Sequence, residues 1–225
     1  MLNNDEFTSS AKWLCSASYY DDHYRVIQNR RSLYDGASGG VETLASRYDF
    51  PGKVIQTKQA QTVNSVTTTV DKFYSYDHAG RLTLTRQEIA GDANGKVTVA
   101  QNSYNETGQL IDKKLHRTVS NNYLQSIDYT YNIRGWLTSI NNPDNLSQSG
   151  NPNADLFGEK LFYETPESGL NTSALAQYNG NISAMVWTST NKTKRGYGFN
   201  YDGLNRLTLG DFKGYNTAWV DSSNY

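Results

Sequence analysis

The sequence predicts an all-β fold, an antiparallel meander of β-hairpins drawn out into a ribbon. Two features dictate it. The stretch YSYDHAGRLTLT (74–85) reads as strand, tight turn and strand, and near-copies occur at SYYDDHYRVIQN, SRYDFPGKVIQT, NSYNETGQLIDK, YTYNIRGWLTSI and FNYDGLNRLTLG. The composition suits a thin sheet better than a thick core, with 36% hydrophobic residues, 17 tyrosines and a mean hydropathy of −0.71. Aromatic and β-branched residues fit the pleated, half-buried surface of a strand and argue against disorder.

With the tyrosine before each turn as register mark, the repeats fall at Tyr20, Tyr48, Tyr76, Tyr104, Tyr131 and Tyr201, spaced by 28, 28, 28, 27 and 70 residues. Near-constant spacing is the signature of a repeat architecture. The next residue is Asp21, Asp49, Asp77, Asn105, Asn132 or Asp202, always a side chain able to bond to the turn backbone. Four after the mark stand Tyr24, Gly52, Gly80, Gly108, Gly135 and Asn205. Apart from Tyr24 these tolerate the left-handed conformation that closes a type I turn with a G1 bulge. Six after come Val26, Val54, Leu82, Leu110, Leu137 and Leu207, all aliphatic, and seven after Ile27, Ile55, Thr83, Ile111, Thr138 and Thr208, all β-branched.

Second turn signals lie between the marks, at Asp35–Gly40, Val63–Val66, Asp92–Lys96 and Ser120–Asn122, so each unit holds two strands and two turns. In the long interval, Tyr178 with Asn179-Gly180 reads as a shortened hairpin with a two-residue turn. The interval from Tyr131 to Tyr178 is then 47 residues, and the excess fits an inserted loop over 141–160, rich in Pro, Asn, Ser and Gly. The expectation is a single hairpin array over residues 1–225 with marks near 20, 48, 76, 104, 131, 178 and 201.

As a series, YDHAGRL, YDFPGKVIQT, YNETGQL and YDGLNRL resemble the YD repeats of RHS proteins, whose relatives include the cocoon subunits of bacterial toxin complexes and the teneurins. Residues 129–208 look particularly like RHS proteins of the Bacteroidetes. The resemblance implies a ribbon of hairpins spiralling into a hollow shell that encloses a C-terminal cargo, in many members a toxin domain. It also implies export, to the cell surface or medium. The partners it implies are other hairpins of the same larger polypeptide and the enclosed cargo domain. The Asp-Pro motifs tied to self-cleavage in the family have no counterpart, since no Asp-Pro pair occurs, and so autoproteolysis is not carried over.

Chemistry at a site finds little support. The net charge of −1, with 19% charged residues, gives no electrostatic footprint for nucleic acid. No stretch approaches the roughly 18 apolar residues of a membrane-spanning helix, and MLNNDEFTSS lacks the basic and apolar regions of a signal peptide. The Asx series reads as turn chemistry rather than calcium ligation, because Ca²⁺ needs about 6–8 oxygens converging on one point. His23, His78 and His116 share no repeat column and lack partners at zinc-ligand spacing. Glu164 and Glu167 flank Pro166 in a loop, Cys15 reads as a buried or half-buried strand residue, and no nucleophile motif or phosphate-cradling glycine loop is present. No enzyme activity, metal or cofactor is expected. The alternative is a carbohydrate-binding or adhesion module using exposed aromatics. Among Trp13, Trp136, Trp187 and Trp219, the candidates for stacking on a sugar are Trp136 and Trp187.

Overall fold

A computed structural model describes residues 14–33, 39–118, 120, 122–147, 154–165, 167–170 and 176–221. It is all-β. Among the described residues the strands are β1 (Ser16–Tyr20), β2 (Val26–Leu33), β3 (Gly40–Tyr48), β4 (Val54–Val63), β5 (Val66–Tyr76), β6 (Leu82–Ile89), β7 (Val97–Tyr104) and β8 (Leu110–Arg117). They continue with β9 (Tyr123–Tyr131), β10 (Leu137–Ile140), β11 (Phe157–Phe162), β12 (Ala184–Ser189), β13 (Arg195–Tyr201), β14 (Leu207–Asn216) and β15 (Ala218–Asp221). The strands follow chain order through one sheet, the topology of a meander. No helix among the described residues is long and apolar enough to cross a membrane, which leaves membrane crossing by strands unaddressed.

The chain divides into two compact units, residues 1–101 and 102–225. In the first, the hairpins are regular. Tyr20 pairs with Val26, Tyr48 with Val54 and Tyr76 with Leu82, and each pairing skips one residue on the return strand. The skipped residues are Ile27, Ile55 and Thr83, so the β-branched column sits at a β-bulge, which bends the strand and increases its twist. Most side chains here are half-buried, as a single-layer sheet requires. The buried charge is Glu42, held by Arg31 and Gln59, which keep its carboxyl below the usual range. Among the second turns, Asn64 and Ser65 both take positive φ, the pattern of a two-residue hairpin loop, whereas Gly36 and Asn121 lie outside the described residues.

The second unit carries the same hairpins plus two long connections. One runs over 141–156 between β10 and β11, shorter than the expected insertion because β11 already begins at Phe157; its residues 148–153 lie outside the described set. The other runs over 163–183 between β11 and β12. From it Leu170 packs with Ala184 and Val186 into a buried cluster flanked by Phe162 and Trp219. Glycines admit these connections: a Cβ on Gly196 would lie 2.9 Å from Leu170, and one on Gly158 would lie 2.7 Å from the Pro143 nitrogen.

Candidate functional site: the tyrosine seams

Each motif turn is built the same way. The Asx amide N–H donates to the carbonyl of the residue four on, and the residue at the glycine column donates back to the Asx carbonyl, at 2.9–3.1 Å throughout. Gly52, Gly80, Gly108 and Gly135 take φ of 94, 83, 88 and 81°, while Asn205 and Tyr24 take 62 and 60°. The Asx side chain closes the turn by accepting the N–H four residues on, as in Arg25 to Asp21 (2.8 Å), Arg81 to Asp77 (2.8 Å), Gln109 to Asn105 (2.8 Å), Trp136 to Asn132 (3.0 Å) and Arg206 to Asp202 (2.9 Å). Lys53 does the same with Asp49.

The column five after the tyrosine, variable in sequence, thus has two roles. Where it is arginine, its Nε also donates to the second carboxylate oxygen, at 2.6 Å from Arg25, 2.7 Å from Arg81 and 2.6 Å from Arg206. The backbone N–H of Arg81 and then its guanidinium hold Asp77 below the usual carboxylate range, and Arg206 acts likewise on Asp202. The second role is toward the next hairpin. The Arg25 guanidinium lies 4.9 Å from the Tyr48 ring centroid, and the Lys53 ammonium 5.5 Å from that of Tyr76. Trp136 stands in the same column and lies 5.1 Å from the Tyr163 ring.

The tyrosine column joins hairpin to hairpin. Tyr48 donates its hydroxyl to the Val26 carbonyl (2.8 Å), Tyr76 to Val54 (2.7 Å), Tyr131 to Leu110 (2.8 Å), Tyr163 to Leu137 (2.9 Å) and Tyr201 to Ile182 (2.9 Å). At all five seams the acceptor lies two residues past the last pair of the ladder, and continuing that register sets the tyrosine one residue beyond the position opposite its acceptor. The hydroxyl therefore reads register as well as proximity. Burial raises the pKa of Tyr76, Tyr163 and Tyr201 above the usual phenol range, keeping their hydroxyls protonated as donors.

This geometry places Tyr163 at the mark expected at Tyr178. Tyr178 is exposed, and Asn179-Gly180 lies in a bend of the 163–183 connection instead of joining two paired strands. Asn179 accepts from the Asn181 N–H at 3.0 Å and donates to Asn205 at 2.6 Å, and Gly180 lies under the Trp136 ring. Sequence reasoning missed Tyr163 because Glu164 follows it and Glu167 fills the glycine column; the surviving signal is the apolar LFY run.

The remaining candidates are structural or dispersed. Trp136 is half-buried between Tyr163, Arg134 and Gly180. Trp187 joins a ring cluster with Tyr197 and Phe212, at centroid distances of 5.8 and 6.2 Å. Trp13 lies outside the described residues. Cys15 is exposed, correcting the expected burial, because it precedes β1 and only its backbone is tied, to Ser32. Glu164 pairs with Arg134, and Pro166 lies outside the described residues. Asp21, Asp22 and His23 bring ligand-type atoms within 4.8 Å, yet Asp21 is already taken up by Arg25 and by the His23 and Arg25 amides. An open polar cleft in the second unit is lined by Asp128, Thr130, Ser139, Asn141, Asp155 and Lys160, and Lys160 is engaged by Asp144 at 2.5 Å.

No family model and no curated protein matches the chain. Its fold is similar to the crystal structure of TcdB2-TccC3 without the hypervariable C-terminal region, at 13% identity and a TM-score of 0.46, over 89% of this chain and 11% of that one. The TcdB2-TccC3-TEV structure gives 17% identity and a TM-score of 0.42, over 90% and 11%. A porin-like protein from Bacteroides uniformis gives 12% identity and a TM-score of 0.31, over 86% and 91%. The chain thus spans about a tenth of the toxin-complex chains it resembles.

Proposed function

We propose that this chain is a wall segment of an RHS-type β-shell of the Bacteroidetes kind, belonging to a larger exported polypeptide and enclosing a cargo domain, with a toxin as the cargo class. The observation that carries this reading is the tyrosine seam. The recurrent residues join one hairpin to the next and converge on no pocket, which is what a confining wall requires and a catalytic site does not. Its role is enclosure, without catalysis in this segment, and its immediate partners are further hairpins of the same polypeptide. Limited proteolysis of the whole natural polypeptide tests the proposal. A domain downstream of the hairpins is expected to resist protease until the hairpins are unfolded; cleavage at the rate of the isolated domain would overturn it.

The Trp187–Tyr197–Phe212 cluster favours a second reading, a carbohydrate-binding surface, since aromatic rings stack on sugars. A glycan array with Trp187→Ala as control separates the two: saturable binding lost in the variant supports the sugar reading.

A further inference from the structure

In the second unit, one row across the sheet sets two charges on either side of an indole. Glu159 of β11 pairs with Trp187 of β12, and Trp187 pairs with Arg195 of β13. Cross-strand partners share a sheet face, so the three side chains stand in line. Glu159 and Arg195 are half-buried, and neither side chain has a hydrogen-bond or ion-pair partner among the described residues. The neighbouring Lys160, Lys194 and Lys213 all have carboxylate partners. Trp187 keeps the two charges apart, because a strand lies between them and their backbones stand about 10 Å from each other, twice the strand spacing. On its other side Glu159 faces Ile140, and burial holds its carboxyl above the usual carboxylate range. From Trp187 the rings continue to Tyr197 and Phe199 at centroid spacings of 5.8 and 5.8 Å, with planes 19° and 14° apart.

A half-buried charge without a partner carries a desolvation cost that a ligand relieves by supplying the missing hydrogen bond. Glu159 offers only acceptors and Arg195 only donors, so the ligand has to donate on one side and accept on the other. Hydroxyl groups do both, and the indole between takes an apolar surface. A pyranose ring combines these features, with C–H groups over a face and hydroxyls around its rim. An α-amino acid zwitterion also pairs a donor with an acceptor, but its charges lie too close together to reach both groups across the indole. The row is balanced in charge, so a uronate meets Glu159 and an aminosugar cation meets Arg195 as a like charge, at a cost. We propose that this row binds a neutral pyranose unit of a glycan, stacked on Trp187, with hydroxyls donating to the Glu159 carboxylate and accepting from the Arg195 guanidinium. The glycan chain runs on toward Tyr197 and Phe199. The inference rests on the carbohydrate reading of the ring cluster, to which it adds two polar anchors and the charge class of the sugar. It stands whether or not the parent polypeptide encloses a cargo.

The full chain is tested on an array of neutral hexose oligosaccharides (cello-, malto-, manno- and galacto-series), oligogalacturonates and chitosan oligomers, followed by isothermal titration with the tightest neutral binder. Saturable binding is expected to neutral members, with Trp187→Ala abolishing it. Glu159→Gln and Arg195→Met are each expected to weaken it about tenfold, the loss of one charge-assisted hydrogen bond. Because neither charge has a partner to lose, both charge variants are expected to melt no lower than the parent, which a structural role for either would contradict. These two variants decide the matter even if Trp187→Ala folds poorly. Binding that both charge variants leave unchanged overturns this proposal and leaves the carbohydrate reading in place, as does a preference for the galacturonate or chitosan oligomers. No saturable binding to any probe overturns both.

Discussion

The two units use one seam under different constraints. In the first, the tyrosine marks keep a spacing of 28 residues and the turns are short. In the second, the marks Tyr131, Tyr163 and Tyr201 are 32 and 38 residues apart, yet the hydroxyl bonds fall at 2.8, 2.9 and 2.9 Å with the same one-residue offset. Chain length between seams is thus free to vary while the seam register is not. The second unit places its extra residues in connections, and one of these covers Ala184 and Val186 with Leu170. Glycine serves the units differently: Gly52 and Gly80 supply backbone shape at turns, Gly158 and Gly196 supply room on a sheet face.

Breaking that contrast begins with the room. Gly158→Val drives a side chain into the Pro143 backbone and is expected to destabilise by about 3 kcal/mol or more in chemical denaturation. Leu170→Ala follows at about 2–4 kcal/mol, the range for opening a buried cavity, and its effect is expected on the unfolding of residues 102–225 only, as hydrogen exchange would show. Gly80→Val, at φ 83°, is expected to lose about 1–3 kcal/mol through backbone strain. A variant melting like the parent would contradict the bulged turn.

Smaller shifts come from pH. The turn carboxylates Asp77 and Asp202 titrate below the ordinary carboxylate range in the folded state, so their contribution is present above that range and is lost as pH falls through the folded range. The seam tyrosines run the other way. Raised above 10.0 by burial, they contribute fully below that value, and the contribution is lost as pH rises through the folded range. Melting temperature against pH is therefore expected to fall at both extremes, with Asp77→Asn flattening only the acid limb. Asn105 and Asn132 already close the same turn without a titratable group.

The turns were legible because their chemistry is local: Asx bonding and positive φ depend on residues within five positions of each other. The tyrosine column was legible as a repeat but not as a bond, because its acceptor lies 19–26 residues away and is a carbonyl, which every residue has. The fifth column hid its function because arginine, lysine, glutamine and tryptophan reach the next hairpin by different chemistries. Asn179-Gly180 misled because a two-residue hairpin needs strands on both sides, and the pairing of Phe162 with Ala184 shows that β11 and β12 meet around a longer connection.

The seam is tested most directly by removing one oxygen atom at each of two tyrosines. Tyr163→Phe keeps the ring against Trp136 and deletes the bond to Leu137, whereas Tyr178→Phe deletes a hydroxyl from an exposed residue of the connection. Equilibrium denaturation is expected to show a loss of about 0.5–1.5 kcal/mol for the first and no measurable loss for the second. Equal stability of Tyr163→Phe and the parent, or a larger loss for Tyr178→Phe, would contradict the account.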